Sequence, residues 1–291
     1  MGSVGNTRSP SAILLVSCPD QTGLVANITQ FVHANNGNIV RLDEHVDQHK
    51  KTFLMRAEWE LDGFWIPRDR VAERFAPIAE RFAMTWDLRF SDSVQRMAVF
   101  VSKQGHCLHD ILAHASSGEW QVEIPLIVSN HTVLADVASR FGIDFHHTPV
   151  SEGDKAAAEQ VQLELLDRYA IDLVVLARYM QIVSADFVSR WSQRIINIHH
   201  SFLPAFAGAK PYHAAFERGV KIIGATSHYV TADLDGGPII EQDVVRISHK
   251  DAVADLVRKG KELEKLVLSR AIWYHLNHKL LVYDNRTVVF D

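Results

Sequence analysis

From Arg96 onward, apolar strand-like runs alternate with helix-like runs: RMAVFVS, HCLHDILAHASS, EIPLIVS, TVLADVASRFG, DFHHTPV, DKAAAEQVQLELLDRYA and IDLVVLA follow in order. Strands of this kind are buried on both faces, and helices between them supply the cover. The rhythm predicts an α/β domain with a doubly wound, mostly parallel sheet. A long helix, KDAVADLVRKGKELEKLVLSRAIWYHLNHK, and a hairpin-like LLVYDNRTVVFD end the chain.

The preceding segment has a different rhythm. AILLVSC (12–18) is strand-like, and TGLVANITQFVHANN has helical spacing with Gly37 as its stop. NIVRLDEHVDQHKKTFLMRAEWEL reads as two strands around a turn at Gln48 to Lys51. IPRDRVAERFAPIAERFA is an amphipathic helix with Pro67 near its start, and MTWDLRFSD a final strand. The β-α-β-β-α-β order predicts a ferredoxin-like domain over residues 11–91. Residues 1–10 are expected to be a disordered lead-in, with the boundary near Ser91 to Gln95 and the second domain over 95–291.

Composition removes several function classes. Of 291 residues, 47% are hydrophobic and 22% charged, the balance of a folded globular chain. A net charge of -5 argues against a nucleic-acid surface. The only cysteines, Cys18 and Cys107, form no CxxC pair, so neither a disulfide framework nor a zinc knuckle is expected, which suits a cytoplasmic protein. MGSVGNTRSPS and the short AILLV have neither the pattern of a signal peptide nor the span of a membrane helix. HCLH, His146-His147 and His199-His200 lack the spacing of a full zinc ligand set, so no metal is expected.

Ligands of open α/β sheets lie beyond the carboxyl ends of strands. RIIN is strand-like, so Asn197, His199 and His200 emerge at such an end; VKIIGATSHYV running into TADLDGGPII places His228 and Asp235 at a second. An amide N–H and an imidazole suit the oxygen of a tetrahedral intermediate, and a carboxylate orients the imidazole or takes a proton from water. Each residue alone also fits a structural role: Asn197 as a turn cap, a lone histidine in the core, Asp235 in a turn before Gly236-Gly237-Pro238. No G-x-S-x-G or Cys/His signature marks a protein nucleophile, which favours direct attack by water or an amine.

The run NIHHSFLPAFAGAKPYHAAFERGVKIIGATSHYVTADLDGGPIIEQ resembles the folate-dependent formyltransferase family, with its ordered N-I-H-x-S-L-L-P, G-x-T-x-H and D-x-G-P-I-I. The resemblance implies Asn197, His199 and Asp235 as catalytic residues, with His200 and His228 in support. LARYMQIVS (176–184) is similar to the family's pterin-pocket stretch, implying folate contacts from Arg178, Tyr179, Met180, Gln181 and Ile182, joined by Asp233 and Leu234. Arg178 and Lys210 are expected to meet the folate's glutamate tail. The first domain, with CPDQTGLVANIT, is similar to ACT domains. That implies homo-oligomerisation and an amino-acid effector, methionine or glycine, near Asp20, Gly23, Leu24 and Asn27.

Two details separate hydrolase from transferase members. His200 stands where transferases usually carry Pro, and SKQGHCLHDIL has the single Gly105 where they have a Gly/Ser/Asn-rich phosphate turn. The resemblance therefore implies hydrolysis of 10-formyltetrahydrofolate to tetrahydrofolate and formate without cofactor or metal, supplying formate for purine synthesis. Formyl transfer to an amine and an inactive folate or amino-acid sensor are the alternatives.

Overall fold

The computed structural model describes residues 9–151, 153–204 and 211–290; residues 1–8 of the expected lead-in, and Lys210, lie outside the described residues. The chain divides into two compact units. The first contains β1 (Ser11–Pro19), α1 (Leu24–Ala34), β2 (Ile39–Asp47), β3 (Thr52–Glu60), α2 (Val71–Arg81) after a 3-10 turn at Arg68–Arg70, and β4 (Thr85–Phe90). Its sheet has the order β2-β3-β1-β4 with antiparallel neighbours, the ferredoxin-like arrangement. Leu14 and Val16 of β1, Met55 and Trp59 of β3, Ile28 of α1 and Phe75 of α2 share one buried cluster. Gly37 ends α1 because the chain turns back on itself there: a Cβ would lie 2.5 Å from Val32 Cγ1.

The second unit continues with β5 (Gln95–Val101), α3 (His106–Ser116), β6 (Val122–Ser129), α4 (Ala135–Arg140), β7 (Asp144–His147), α5 (Lys155–Arg168), β8 (Leu173–Leu176) and α6 (Ala185–Arg190). Then come β9 (Ile195–His199), α7 (Pro211–Arg218), β10 (Ile222–Tyr229), β11 (Ile239–Arg246) and α8 (Val253–Leu276). The sheet order is β11-β10-β9-β8-β5-β6-β7. The five strands from β9 to β7 are parallel, and β10 and β11 antiparallel. Met97 to Val101 and Leu173 to Val175 are fully buried, which accounts for their unbroken apolar runs.

Three elements carried no clear sequence signal. α6 is only six residues long, held by Ser184, whose hydroxyl accepts the Phe187 N–H. α7 follows a Pro/Gly-rich stretch that reads as loop. β11 is an edge strand, largely half-exposed, so its sequence lacks a continuous apolar run.

The tail differs from the expectation of a second domain running to 291. β12 (Leu280–Tyr283) and β13 (Arg286–Val289) form the hairpin, but residues 277–283 and 288 onward group with the first unit. Leu281 and Phe290 are buried against Leu15 and Leu54 there. Among the described residues no helix is long and apolar enough to cross a membrane.

Candidate active site

β9 places Asn197 and His199 two residues apart, hence on one face of the sheet. β10 runs antiparallel to β9, so its carboxyl end does not join that of β9 as the sequence suggested. Instead His228 pairs directly with Asn197 across the ladder, and directly opposed residues share a face. The loop after β10 then returns Asp235, in the left-handed conformation with φ 54°, to the same spot.

The side chains close into one cluster. His199 Nδ1 donates to Asp235 Oδ1 at 3.2 Å. His228 Nδ1 donates to the Tyr229 carbonyl at 2.9 Å, leaving Nε2 to accept an N–H from Asn197 Nδ2 at 3.2 Å and to stand 3.6 Å from Asp235 Oδ1. The hydrogen bond from His199 holds the Asp235 carboxyl far below the usual carboxylate range, outweighing its partial burial. Asp235 is therefore an anion and His199 keeps its proton on Nδ1. Nε2 of His199 is buried and has no hydrogen-bond partner. A lone pair in that position is free for a reacting group.

These residues border a cavity of ≈ 300 Å³ that is also lined by Tyr179 to Val183, Val230 to Ala232 and Leu234. Its stretch over 178–184 is pinned from behind. Met180 N–H donates to Ser102 Oγ at 2.9 Å, Ser184 N–H to Glu159 Oε1 at 2.8 Å, and Gln162 Nε2 to Tyr179 Oη at 3.0 Å. Met180, Ile182 and Leu234 remain exposed, giving the cavity an apolar rim. Gln181 lines it too, and Asp233 closes the turn that carries Asp235, its carbonyl accepting the Gly236 N–H at 3.1 Å.

Arg178 lines the same cavity but is only 8% exposed, with φ 62°, and its Nε lies 3.4 Å from Glu264 Oε2, so the guanidinium pairs with a buried carboxylate. His200 is buried as well. Desolvation, with help from the Arg178 charge, pushes it down to about 4, so it is a neutral imidazole at ordinary pH. Its neighbours Glu264 and Tyr212 had no role in the sequence reading. One signal was present: Leu256, Gly260, Glu264 and Leu268 are buried at intervals of four along α8, an acidic residue within an apolar stripe. His106, Cys107 and Glu264 carry donor atoms within 4.8 Å of one another. The Glu264 oxygens there are engaged by His106 Nε2 at 2.8 Å and Tyr212 Oη at 2.6 Å, and burial keeps the Cys107 thiol protonated.

In the first unit, the Leu24 side chain is 2% exposed and belongs to the core, so only its backbone N–H at the start of α1 is left for a ligand. Gly23, with φ 91°, heads α1 without a side-chain cap and its carbonyl accepts from Asn27 Nδ2 at 2.7 Å; Asp20 N–H donates to the Lys51 carbonyl at 2.8 Å. A cavity of ≈ 280 Å³ beside Asp20 is lined by Ser17 to Pro19, Lys50 to Thr52, Ala83 and Thr85.

Comparison with known proteins matches this architecture. The family profile described as formyl transferase covers residues 95–272. The formyltetrahydrofolate deformylase of Synechocystis sp. is 58% identical over 96% of this chain and 98% of its own length, and that of Bacillus subtilis 46% identical over 96% and 93%. A formyltetrahydrofolate deformylase crystal structure from Pseudomonas syringae superposes with a TM-score of 0.96 at 43% identity, covering 99% of this chain and 96% of that one. A glycinamide ribonucleotide transformylase from Symbiobacterium toebii matches 68% of this chain and 95% of its own, with a TM-score of 0.65 and 33% identity. The chain belongs to the formyltetrahydrofolate deformylase family.

Proposed function

We propose that this chain hydrolyses 10-formyltetrahydrofolate to tetrahydrofolate and formate. The observation that carries this reading is His199, tied through Nδ1 to an ionised Asp235 while its buried Nε2 has no protein partner at the cavity wall. Water attacking the formyl carbon gives its proton to Nε2, and the charge of Asp235 favours the imidazolium that forms. The former carbonyl oxygen becomes an oxyanion, stabilised by the imidazolium and the Asn197 amide. The imidazolium then protonates N10, the carbon–nitrogen bond breaks, and formate and tetrahydrofolate leave. His228 fixes the Asn197 amide. Asp235 spends Oδ1 on His199, leaving Oδ2 to order the water. Met180, Ile182 and Leu234 offer apolar surface to the folate ring system, and no cofactor takes part.

The test is turnover of the purified chain with 10-formyltetrahydrofolate alone. Equal yields of formate and tetrahydrofolate are expected; no formate until an amine is added would make the chain a transferase. The reading extends to formate supply for purine synthesis. The free, buried Cys18 and Cys107 suit the reducing cytoplasm.

For the first unit we propose an ACT-type role in self-association and amino-acid sensing. β2 lies at the sheet edge with Val40 and Leu42 exposed, a surface open to pairing with a second copy. The uncapped start of α1 at Gly23 presents backbone N–H groups to an amino-acid carboxylate. Methionine or glycine is expected to change the deformylation rate. An unchanged rate across a titration of both, with neither detected by calorimetry, would remove the sensing role.

A further inference from the structure

Ligand crevices of open α/β sheets form where the strand order reverses, outside the carboxyl ends of the strands. Here the order reverses between β5 and β8. The cavity of the active site reaches that point from the β8 side, where Leu176 and Arg178 line it, and none of its lining comes from β5 or α3. The reversal point itself is filled. Arg178 follows β8, His106 opens α3 after β5, Tyr212 comes from α7 and Glu264 from α8. Glu264, 1% exposed, accepts from His106 Nε2 at 2.8 Å and Tyr212 Oη at 2.6 Å, with Arg178 Nε at 3.4 Å. His200 joins this group to the catalytic centre, its ring 6.2 Å from that of Tyr212 and 5.2 Å from that of His199.

The fit is specific. A Cβ on Gly260 would lie 2.2 Å from Tyr212 Oη, so the phenol reaches Glu264 only because α8 has a glycine one turn earlier. Glycine inside a helix and a carboxylate inside a protein are both unfavourable. Their joint presence calls for a reason other than stability.

We propose that the Arg178–Glu264–His106–Tyr212 network is the specificity determinant of this enzyme: it occupies the crevice through which a second substrate would reach the formyl carbon, leaving water as the only acceptor. This rests on the deformylase reading above and names its acceptor class. With an amine in place of water, the new bond runs from amine nitrogen to formyl carbon. The N10–carbon bond breaks, and the proton lost by the amine passes to N10. The reaction needs no further reagent, only access.

The experiment uses the full chain, 10-formyltetrahydrofolate and methoxyamine, an amine unprotonated at neutral pH, with formate and N-methoxyformamide quantified together. The parent chain is expected to release formate in an amount equal to tetrahydrofolate whatever the methoxyamine concentration. Failure to release formate without amine would overturn the deformylase reading itself. Tyr212→Ala and Glu264→Gln are expected to divert formyl groups to methoxyamine on the order of tenfold more than the parent, the gain matching the formate lost; Tyr212→Phe, which keeps the ring, is expected to divert little. Folded Tyr212→Ala and Glu264→Gln that still release only formate, or that lose all turnover, would overturn the inference, as would diversion by the parent chain.

Discussion

His199 is held at one nitrogen and open at the other, and most of the chemistry proposed for this chain follows from that asymmetry. Asp235→Asn removes the charge that stabilises the imidazolium, and His199→Ala removes the proton carrier. Each is expected to lower kcat by ~10²–10⁴, measured as formate released by folded protein; near-parental rates would strip these residues of their roles. Asn197→Ala belongs to the same series, with a loss of ~10²–10³ for a single oxyanion donor. His200, next in sequence, behaves differently. Its folded value is pushed down to about 4 among Arg178, Glu264, His199 and Asp235, whereas an unfolded histidine titrates near ~6.5. Between those values the unfolded chain binds the extra proton, so the stability due to neutral His200 is complete above the unfolded value and falls as the pH drops toward the folded one. Denaturant midpoints measured across this interval are expected to fall less steeply in His200→Asn than in the parent.

At the level of elements, the antiparallel turn of β10 determines the site. It sets His228 against Asn197, and the loop that follows carries Asp235 and then turns through Gly236 and Gly237 into β11. A Cβ on Gly237 would lie 1.8 Å from the Tyr229 carbonyl oxygen, so any side chain there drives the loop off β10. Gly237→Ala is expected to cut kcat by at least ~10-fold through displacement of Asp235, since small misplacements of catalytic groups are costly, while circular dichroism stays that of the parent. Parental kcat in that variant would show that the loop position tolerates the shift. The folate-facing stretch is built on the same principle: Ser102, Glu159 and Gln162 hold its backbone and Tyr179 from other elements.

On the scale of the whole molecule, the chain's end is structural for its beginning. Leu281 and Phe290, 8% and 4% exposed, complete a cluster with Leu15 and Leu54, and the Tyr283 hydroxyl donates to Asp47 at 3.1 Å. Leu281→Ala and Phe290→Ala are each expected to destabilise the first unit by ~2–4 kcal/mol, as large-to-small changes in a buried core do. Thermal unfolding followed by Trp59 and Trp86, both of that unit, checks this; an unchanged midpoint would mean the tail contributes nothing to its stability.

By itself the sequence determined what is local. Apolar runs of strand length and helical spacing reported the β-α-β-β-α-β start and the parallel αβ alternation, because burial on one or both faces dictates residue type at every second or every third to fourth position. Asn197, His199 and Asp235 stood in ordered motifs that could be read without coordinates. Tertiary structure alone decided what depends on pairing between distant segments: the reversed direction of β10, the return of the tail to the first unit, the pairing of Arg178 with a buried carboxylate, and the placing of the Leu24 side chain in the core. Glu264 shows the difference most clearly. In sequence it is one charge among the many on α8. Its meaning comes from three partners, His106, Arg178 and Tyr212, that lie 158, 86 and 52 residues away along the chain and meet it only once the sheet has closed.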